Sequence, residues 1–181
     1  FRHVIFSGGD KQGLSAMTIN PADKNNGIGG DKQFSDLFAH GARWVRADFH
    51  LHTEQDSQFA PVPEGLSFHR AWVDRLADED IRLGVITNHN KFVPDEFKTL
   101  RKKAGKQGIF ILPGVELCVQ GGKSGIHILI VFDPKTWIFN KENEDFINRF
   151  LDNGFPHTPN RESEDSACEW TLSQTLDKLE R

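Results

Sequence analysis

From residue 43 onward, short unbroken apolar runs alternate with stretches in which apolar residues recur every three or four positions. The first pattern reads as a buried strand, the second as a helix with one buried face. Residues 44–51 are the first strand. Ser67 stands where a helix cap belongs, ahead of Phe68, Ala71, Trp72 and Leu76. Residues 83–87 are apolar and β-branched, hence a second strand. Pro94 opens another helix, with Asp95 and Glu96 in its first turn and Arg101, Lys102 and Lys103 late. Those charges suit the helix dipole at both ends. Gly105 or Gly108 ends it. Residues 109–112 form a third strand that 116–119 continue, and 126–132 a further one. Residues 142–153 are helical, burying Phe146, Ile147, Phe150 and Leu151, with Gly154 just past the end. Residues 171–181 form a last amphipathic helix with Leu172, Leu176 and Leu179 on one face. Strand and helix in alternation predict a parallel α/β fold.

Residues 1–43 follow a different grammar. Residues 1–6 suit a short strand, and a helical stretch is expected near 34–40. Between them Gly8, Gly9, Gly13, Gly27, Gly29 and Gly30, with Asn25, Asn26 and Asp31, punctuate loops. The chain therefore divides into a loop-rich N-terminal arm, 1–43, and a domain over 44–181.

Composition narrows the class. Hydrophobic residues make up 37% and charged residues 27% of 181, the balance of a globular chain. No apolar run approaches the ~20 residues of a membrane helix. Two cysteines, Cys118 and Cys168, make no disulfide framework and fit a reducing cytoplasm. A net charge of −4 argues against a bulk nucleic-acid coat. The chain opens on Phe1 and its single Met is Met17, so it reads as a piece of a longer protein.

Four places carry chemistry. In Asp48-Phe49-His50-Leu51-His52-Thr53, the period-2 geometry of a strand turns both imidazoles to one side, where they can grip a divalent ion. The alternative is a pair of half-exposed loop histidines. The run Gly84-Val85-Ile86-Thr87-Asn88-His89-Asn90 ends an apolar strand in polar residues, with His89 at its C-terminal end. In barrels of alternating strands and helices that end builds the active site, although a lone loop histidine fits as well. In Leu112-Pro113-Gly114-Val115-Glu116 a carboxylate follows a turn-forming Pro-Gly between apolar stretches. A buried Glu needs a metal or a basic partner. His127 lies among aliphatic residues near a strand start and suits either a ligand or a satisfied core histidine. Together these are ligand types for borderline metals, and a bridging carboxylate can join two ions.

This ordered set resembles the successive motifs of the PHP domain, named for polymerase and histidinol phosphatase. The resemblance covers residues 44–181 and leaves out the N-terminal arm. It implies a distorted (β/α)7 barrel with up to three divalent metals (zinc, manganese or iron) at the strand C-termini. Two or three ions would occupy a complete site. His50 and His52 would bind one metal, Glu116 would bridge two, His127 would bind the second and His89 would belong to a third position. His50, His52 and Glu116 would then be the catalytic residues. Asp56 stands near another family ligand position, although a solvated loop Asp is the plainer reading. The implied activity is hydrolysis of phosphodiester or phosphomonoester bonds of nucleic acid or nucleotides by metal-activated water. An amidohydrolase-like hydrolase would use similar ligands. A PHP module that has lost catalysis and serves interaction or regulation is the non-enzyme alternative. The run from His127 to Phe132, with Asp133-Pro134, is also similar to PHP modules fused to an ATPase of the ABC or SMC type.

Departures from the family are specific. Asn88 replaces the usual Asp before the second-motif histidine. The closing motifs, a late His and a final Asp-x-His, are missing, and His157 in a Pro-rich loop reads as a surface residue. Seven strand–helix units need more than ~200 residues, whereas 44–181 holds about four at ~30 residues or more each. The expectation is an incomplete barrel, open on its C-terminal side and short of its last ligands.

Other signals are set aside. Gly122-Lys123-Ser124 resembles the tail of a phosphate-binding loop, but Leu117 stands where its leading glycine belongs and strands flank it on both sides. It reads as a glycine-rich turn. Arg101, Lys102, Lys103 and Lys106 read as the solvated end of a helix. Cys118 reads as a small buried hydrophobe.

Overall fold

Five strands hydrogen-bond into one mixed sheet in the order β1-β5-β4-β3-β2. The computed structural model describes residues 3–7, 44–59, 65, 67–122, 125–143 and 145–180. The strands are β1 (His3–Ser7), β2 (Arg46–Leu51), β3 (Ile81–Ile86), β4 (Phe110–Val119) and β5 (Ile126–Phe132). The helices are α1 (Phe68–Asp78), α2 (Pro94–Gly105), α3 (Pro134–Trp137), α4 (Phe146–Gly154) and α5 (Leu172–Leu179). The helix expected near 34–40 lies outside the described residues. The strand expected at 1–6 forms over His3–Ser7 and pairs in parallel with β5.

Strands β2, β3 and β4 run parallel, joined through α1 and α2. The alternation then breaks. β5 runs antiparallel to β4, with Val119 opposite Ile126 and Cys118 opposite His127. A connection of six residues leaves no room for a crossover helix, so the chain must turn straight back. Gly122 and Gly125 supply the turn, with φ of 61° and 77°. The all-parallel expectation is therefore corrected at β5. The observed architecture is mixed α/β, compatible with part of a barrel.

A second correction concerns Pro113-Gly114, which is not a turn but the middle of β4. β4 changes neighbours there. Its parallel pairing with β3 ends at Pro113, opposite Ile86, and its antiparallel pairing with β5 begins at Gly114, opposite Val131. A residue with no N–H is tolerated where one ladder ends. At Gly114 a Cβ would lie 2.7 Å from the Ile130 carbonyl oxygen and 2.8 Å from Val85 Cγ1, so only glycine lets the strands approach.

The core follows the apolar stripes. α1 buries Phe68, Trp72, Val73 and Leu76; α2 buries Phe97, Leu100 and Ala104. They pack with Ile86, Ile109, Ile111, Val115, Leu117, Ile128 and Ile130 of the strands and their flanks. Each fully buried Phe, Leu or Ile contributes about 1.5–3 kcal/mol. Ser67 is the N-cap of α1, although its side chain makes no capping bond. Arg101 departs from the solvated-end reading. It is buried at 5%, donates from Nη1 to the Ile111 carbonyl at 2.8 Å and stacks over Phe110. Lys102, Lys103 and Lys106 are exposed as expected. In α5 the buried position is Thr175, flanked by half-buried Leu172 and Leu179, while Leu176 faces outward at 38% exposure. No helix among the described residues is long and apolar enough to cross a membrane.

Candidate metal centre

Parallel β2 and β3 bring their C-terminal ends to one edge of the sheet, and β4 runs past them. Because β5 is antiparallel, it brings its beginning to that edge. His127, its second residue, thus meets Glu116, a diagonal neighbour across the β4–β5 ladder. An isolated bridge sets His89 beside Glu116. The Glu116 N–H donates to the Asn88 carbonyl, and the Asn90 N–H to the Glu116 carbonyl.

Glu116 is 4% exposed and sits between histidines. Its Oε2 lies 2.7 Å from His50 Nε2 and 3.6 Å from His52 Nε2, and its Oε1 lies 2.9 Å from His127 Nδ1. The two imidazoles of the His-x-His pair approach to 3.0 Å, Nε2 to Nε2. Burial pushes the Glu116 carboxyl up, but hydrogen bonds from His50 and His127 outweigh it and hold the group down to about 2. Among the described residues, His50, His52 and Glu116 form a group of three ligand-type side chains whose donor atoms lie within 4.8 Å of one another.

The donor set fits a cation. Bonds of ~2.0–2.1 Å arranged tetrahedrally place donor atoms about 3.3 Å apart, close to the 2.7, 3.0 and 3.6 Å of this triangle. Hydrogen counting points the same way. Asp56 Oδ2 lies 2.7 Å from His52 Nδ1. An ionised carboxylate only accepts, so in the neutral imidazole Nδ1 carries the proton and Nε2 is bare. His50 Nε2 then has at most one hydrogen for two acceptors. A carboxylate behind a metal-binding histidine is the usual way to aim its lone pair.

Asp56 corrects the sequence reading. It is not a solvated loop residue but is 5% exposed, and its N–H closes a turn back onto the Thr53 carbonyl at 2.9 Å. Its oxygens accept from His52, from the Gln58 N–H at 2.8 Å and from the His89 N–H at 2.6 Å. Burial raises this carboxyl as well, and those three donors overcome it, leaving it at about 2. Asp56 therefore stands behind His52 rather than beside it in the triangle. His89 is 2% exposed and stacks on His127 at 5.2 Å between ring centroids. Burial and the neighbouring His127 lower its pKa, against the pull of Glu116 and Asp56. It too lies outside the triangle.

Three residues that the motifs did not single out organise the surroundings. Thr53 and Glu96 form a chain with Asn88 that is buried at Thr53 and Asn88 and half-buried at Glu96. Asn90, at φ 49°, joins β4 to the segment 161–166 by donating to the Arg161 and Ser166 carbonyls and accepting from the Cys118 N–H. The one available signal was the density of amide and hydroxyl residues at 87–90 after the apolar run 83–86. His157 is a surface residue paired with Glu169 at 2.8 Å. Cys118 and Cys168 are buried, and burial pushes both thiols up. A cavity of about 410 Å³ lined by Asp152, Phe155 and Arg161 opens beside this segment, away from the triangle.

No family model matches the chain, and no curated protein matches it. Solved structures do. An amidohydrolase from Chromobacterium violaceum is 22% identical with a TM-score of 0.38, over 61% of this chain. A two-domain protein from Bacteroides vulgatus, containing a predicted PHP-like metal-dependent phosphoesterase, is 17% identical with a TM-score of 0.40, over 75% of this chain. The chain spans 37% and 42% of the lengths of those two proteins.

Proposed function

We propose that this chain carries the metal centre of a metal-dependent hydrolase acting on phosphate esters, with phosphodiesters or phosphomonoesters of nucleic acid or nucleotides as the substrate class. One observation carries the reading: a single buried carboxylate, Glu116, presents one oxygen to His50 and His52 and the other to His127. That is the donor set for divalent ions on both sides of one carboxylate. Bound there, they would supply Lewis-acid charge for phosphoryl oxygens and a water acidic enough to be deprotonated near neutral pH. The chain's own residues do the rest. Asp56 keeps the His52 Nδ1 proton in place, which leaves Nε2 facing Glu116. His89 stacks on His127 and fixes its ring plane. Cys118 and Cys168, whose thiols are buried and raised, offer no competing nucleophile.

The substitution at Asn88 does not weaken this reading. Its side chain is committed to Thr53, and its Oδ1 and Nδ2 are both used there.

The test is elemental analysis of purified protein followed by a substrate panel: a phosphodiester, a phosphomonoester and a carboxamide, each with added manganese or zinc and with chelator. The expectation is bound metal, phosphate-ester hydrolysis lost with chelator and restored by metal, and loss of both metal and activity in the His50→Ala/His52→Ala double variant. Full activity in that variant sinks the proposal. Preference for the carboxamide moves the site to amidohydrolase chemistry.

A further inference from the structure

Strand β2 ends at Leu51, whose carbonyl takes the last ladder bond from the Thr87 N–H. His52 stands just beyond, where no ladder fixes the backbone. Instead, both polar groups of the peptide joining His52 to Thr53 are held by side chains. Its carbonyl accepts from Trp72 Nε1 at 2.9 Å, and its N–H donates to Asn88 Oδ1 at 2.8 Å. Asn88 then uses its second end: Nδ2 donates to Thr53 Oγ1 at 2.8 Å, and that hydroxyl donates to Glu96 Oε2 at 2.6 Å. Thr53 and Asn88 are 0% and 1% exposed, so no solvent substitutes for a missing partner.

We infer that Asn88 is a positioning residue for His52, clamping the peptide that follows it, and that Glu96 on the far side of Thr53 is the reason this position is an amide and not an acid. The inference rests on reading His52 as a metal ligand. Its logic is hydrogen counting. The Thr53 hydroxyl has one hydrogen, which goes to Glu96, so its partner at position 88 must donate. Asparagine can accept from the N–H and donate to the hydroxyl together. Aspartate can do only the first. Its other oxygen would face Thr53 Oγ1 with no hydrogen between them, and two carboxylates would compete for one proton. Replacing Glu96 by glutamine reverses the direction of the chain. The hydroxyl then donates to an acid at position 88 and accepts from the new amide. The pair is therefore exchangeable as a pair, and position 88 does not tolerate the acid alone.

The experiment compares the parent with Asn88→Asp and with Asn88→Asp/Glu96→Gln. Each is titrated with Co²⁺ while the visible absorption of the bound ion is recorded, and each is melted without metal. Asn88→Asp is expected to loosen Co²⁺ by ~10–100-fold, the usual loss when a partner that orients a ligand is removed, and to alter the spectrum. The double variant is expected to regain most of the affinity, the parent spectrum and any lost metal-free Tm. Parent-like binding by Asn88→Asp overturns the inference while leaving the metal centre standing. A double variant no better than Asn88→Asp overturns it too. A parent that takes up no Co²⁺ removes the metal reading itself, and this inference with it.

Discussion

Among the described residues, Glu96 is the one carboxyl pushed upward, and its chemistry can be isolated from that of its neighbours. Burial raises it most; the Thr53 hydrogen bond opposes, Glu54 adds to the rise and Lys91 opposes. In the unfolded chain a glutamate loses its proton near ~4.3. The folded state keeps this one to higher pH, so between those two values the folded state binds more protons. Stability therefore falls as pH rises through that window, and the whole penalty is present above it. Asp56 and Glu116 run the other way. Both are held near 2, so their contribution is present above their unfolded values and is lost as pH falls toward 2. The windows lie on opposite sides of ~4.3. Glu96→Gln should thus flatten the decline of metal-free stability above that pH, measured by urea unfolding across a pH series. A parent and variant with parallel profiles there would show that Glu96 carries no such penalty. At this scale the sequence was readable where one residue decides its own environment. Alternation turns His50 and His52, the latter one residue past the end of β2, to one side, and Glu116 in an apolar run had to find a partner. Asp56 was not readable. Its burial depends on the His89 N–H, 33 residues away, which no local pattern records. Arg101 escaped for a similar reason, since its cover is Phe110 and the Ile111 carbonyl across the next strand.

At the scale of elements, the strand-and-helix rhythm placed every described strand and all the helices longer than one turn. It failed where two local rules conflict. Pro-Gly is the usual mark of a turn, yet at 113–114 it lies within a strand because β4 exchanges neighbours there. Only the sheet order, which is non-local, reveals that. The same exchange positions the site. Gly114 starts the β4–β5 ladder two residues before Glu116, with no room for a Cβ beside the Ile130 carbonyl. Gly114→Ala places a methyl 2.7 Å from that backbone oxygen, which cannot swing aside as a side-chain tip can. Overpacking of this kind costs about 1–3 kcal/mol. The ladder must shift locally, and Glu116 moves with it relative to His127. The expected result is a lower urea midpoint together with weakened metal uptake. A variant with the parent's midpoint and affinity would mean that β4 and β5 have slack at the crossover.

At the scale of the whole molecule, the centre is assembled from four stretches of chain, and a fifth closes over them. Residues 155–171 return to the sheet edge through few but well-placed contacts. The Cys168 N–H donates to the Cys118 carbonyl at 2.7 Å and the Gln120 N–H to the Trp170 carbonyl at 2.8 Å. Lys91 pairs with Glu162 at 2.7 Å. Asn90 contributes the most. Its Nδ2 reaches the Arg161 and Ser166 carbonyls at 2.9 and 3.0 Å, its carbonyl accepts from Arg161 Nε at 3.1 Å, and its Oδ1 takes the Cys118 N–H at 3.0 Å. This return was illegible in the sequence. The segment carries no apolar period of its own, and the residue that makes most of its side-chain bonds lies 71 positions upstream of Arg161. Asn90→Ala removes the side-chain bonds and leaves two part-buried carbonyls and the buried Cys118 N–H without these partners, at about 1–3 kcal/mol for each group that water does not reach. Alanine must also adopt the positive φ of that position. The loss should be local, because the bonds removed run to Arg161, Ser166 and Cys118 and none of them reaches α1 or α2. Hydrogen exchange read by mass spectrometry is expected to quicken across 155–170 and around Cys118, while peptides from α1 and α2 keep the parent's protection. Uniformly faster exchange would make Asn90 a general stability residue. Unchanged exchange over 155–170 would mean that the Cys168 and Trp170 bonds alone hold the segment down.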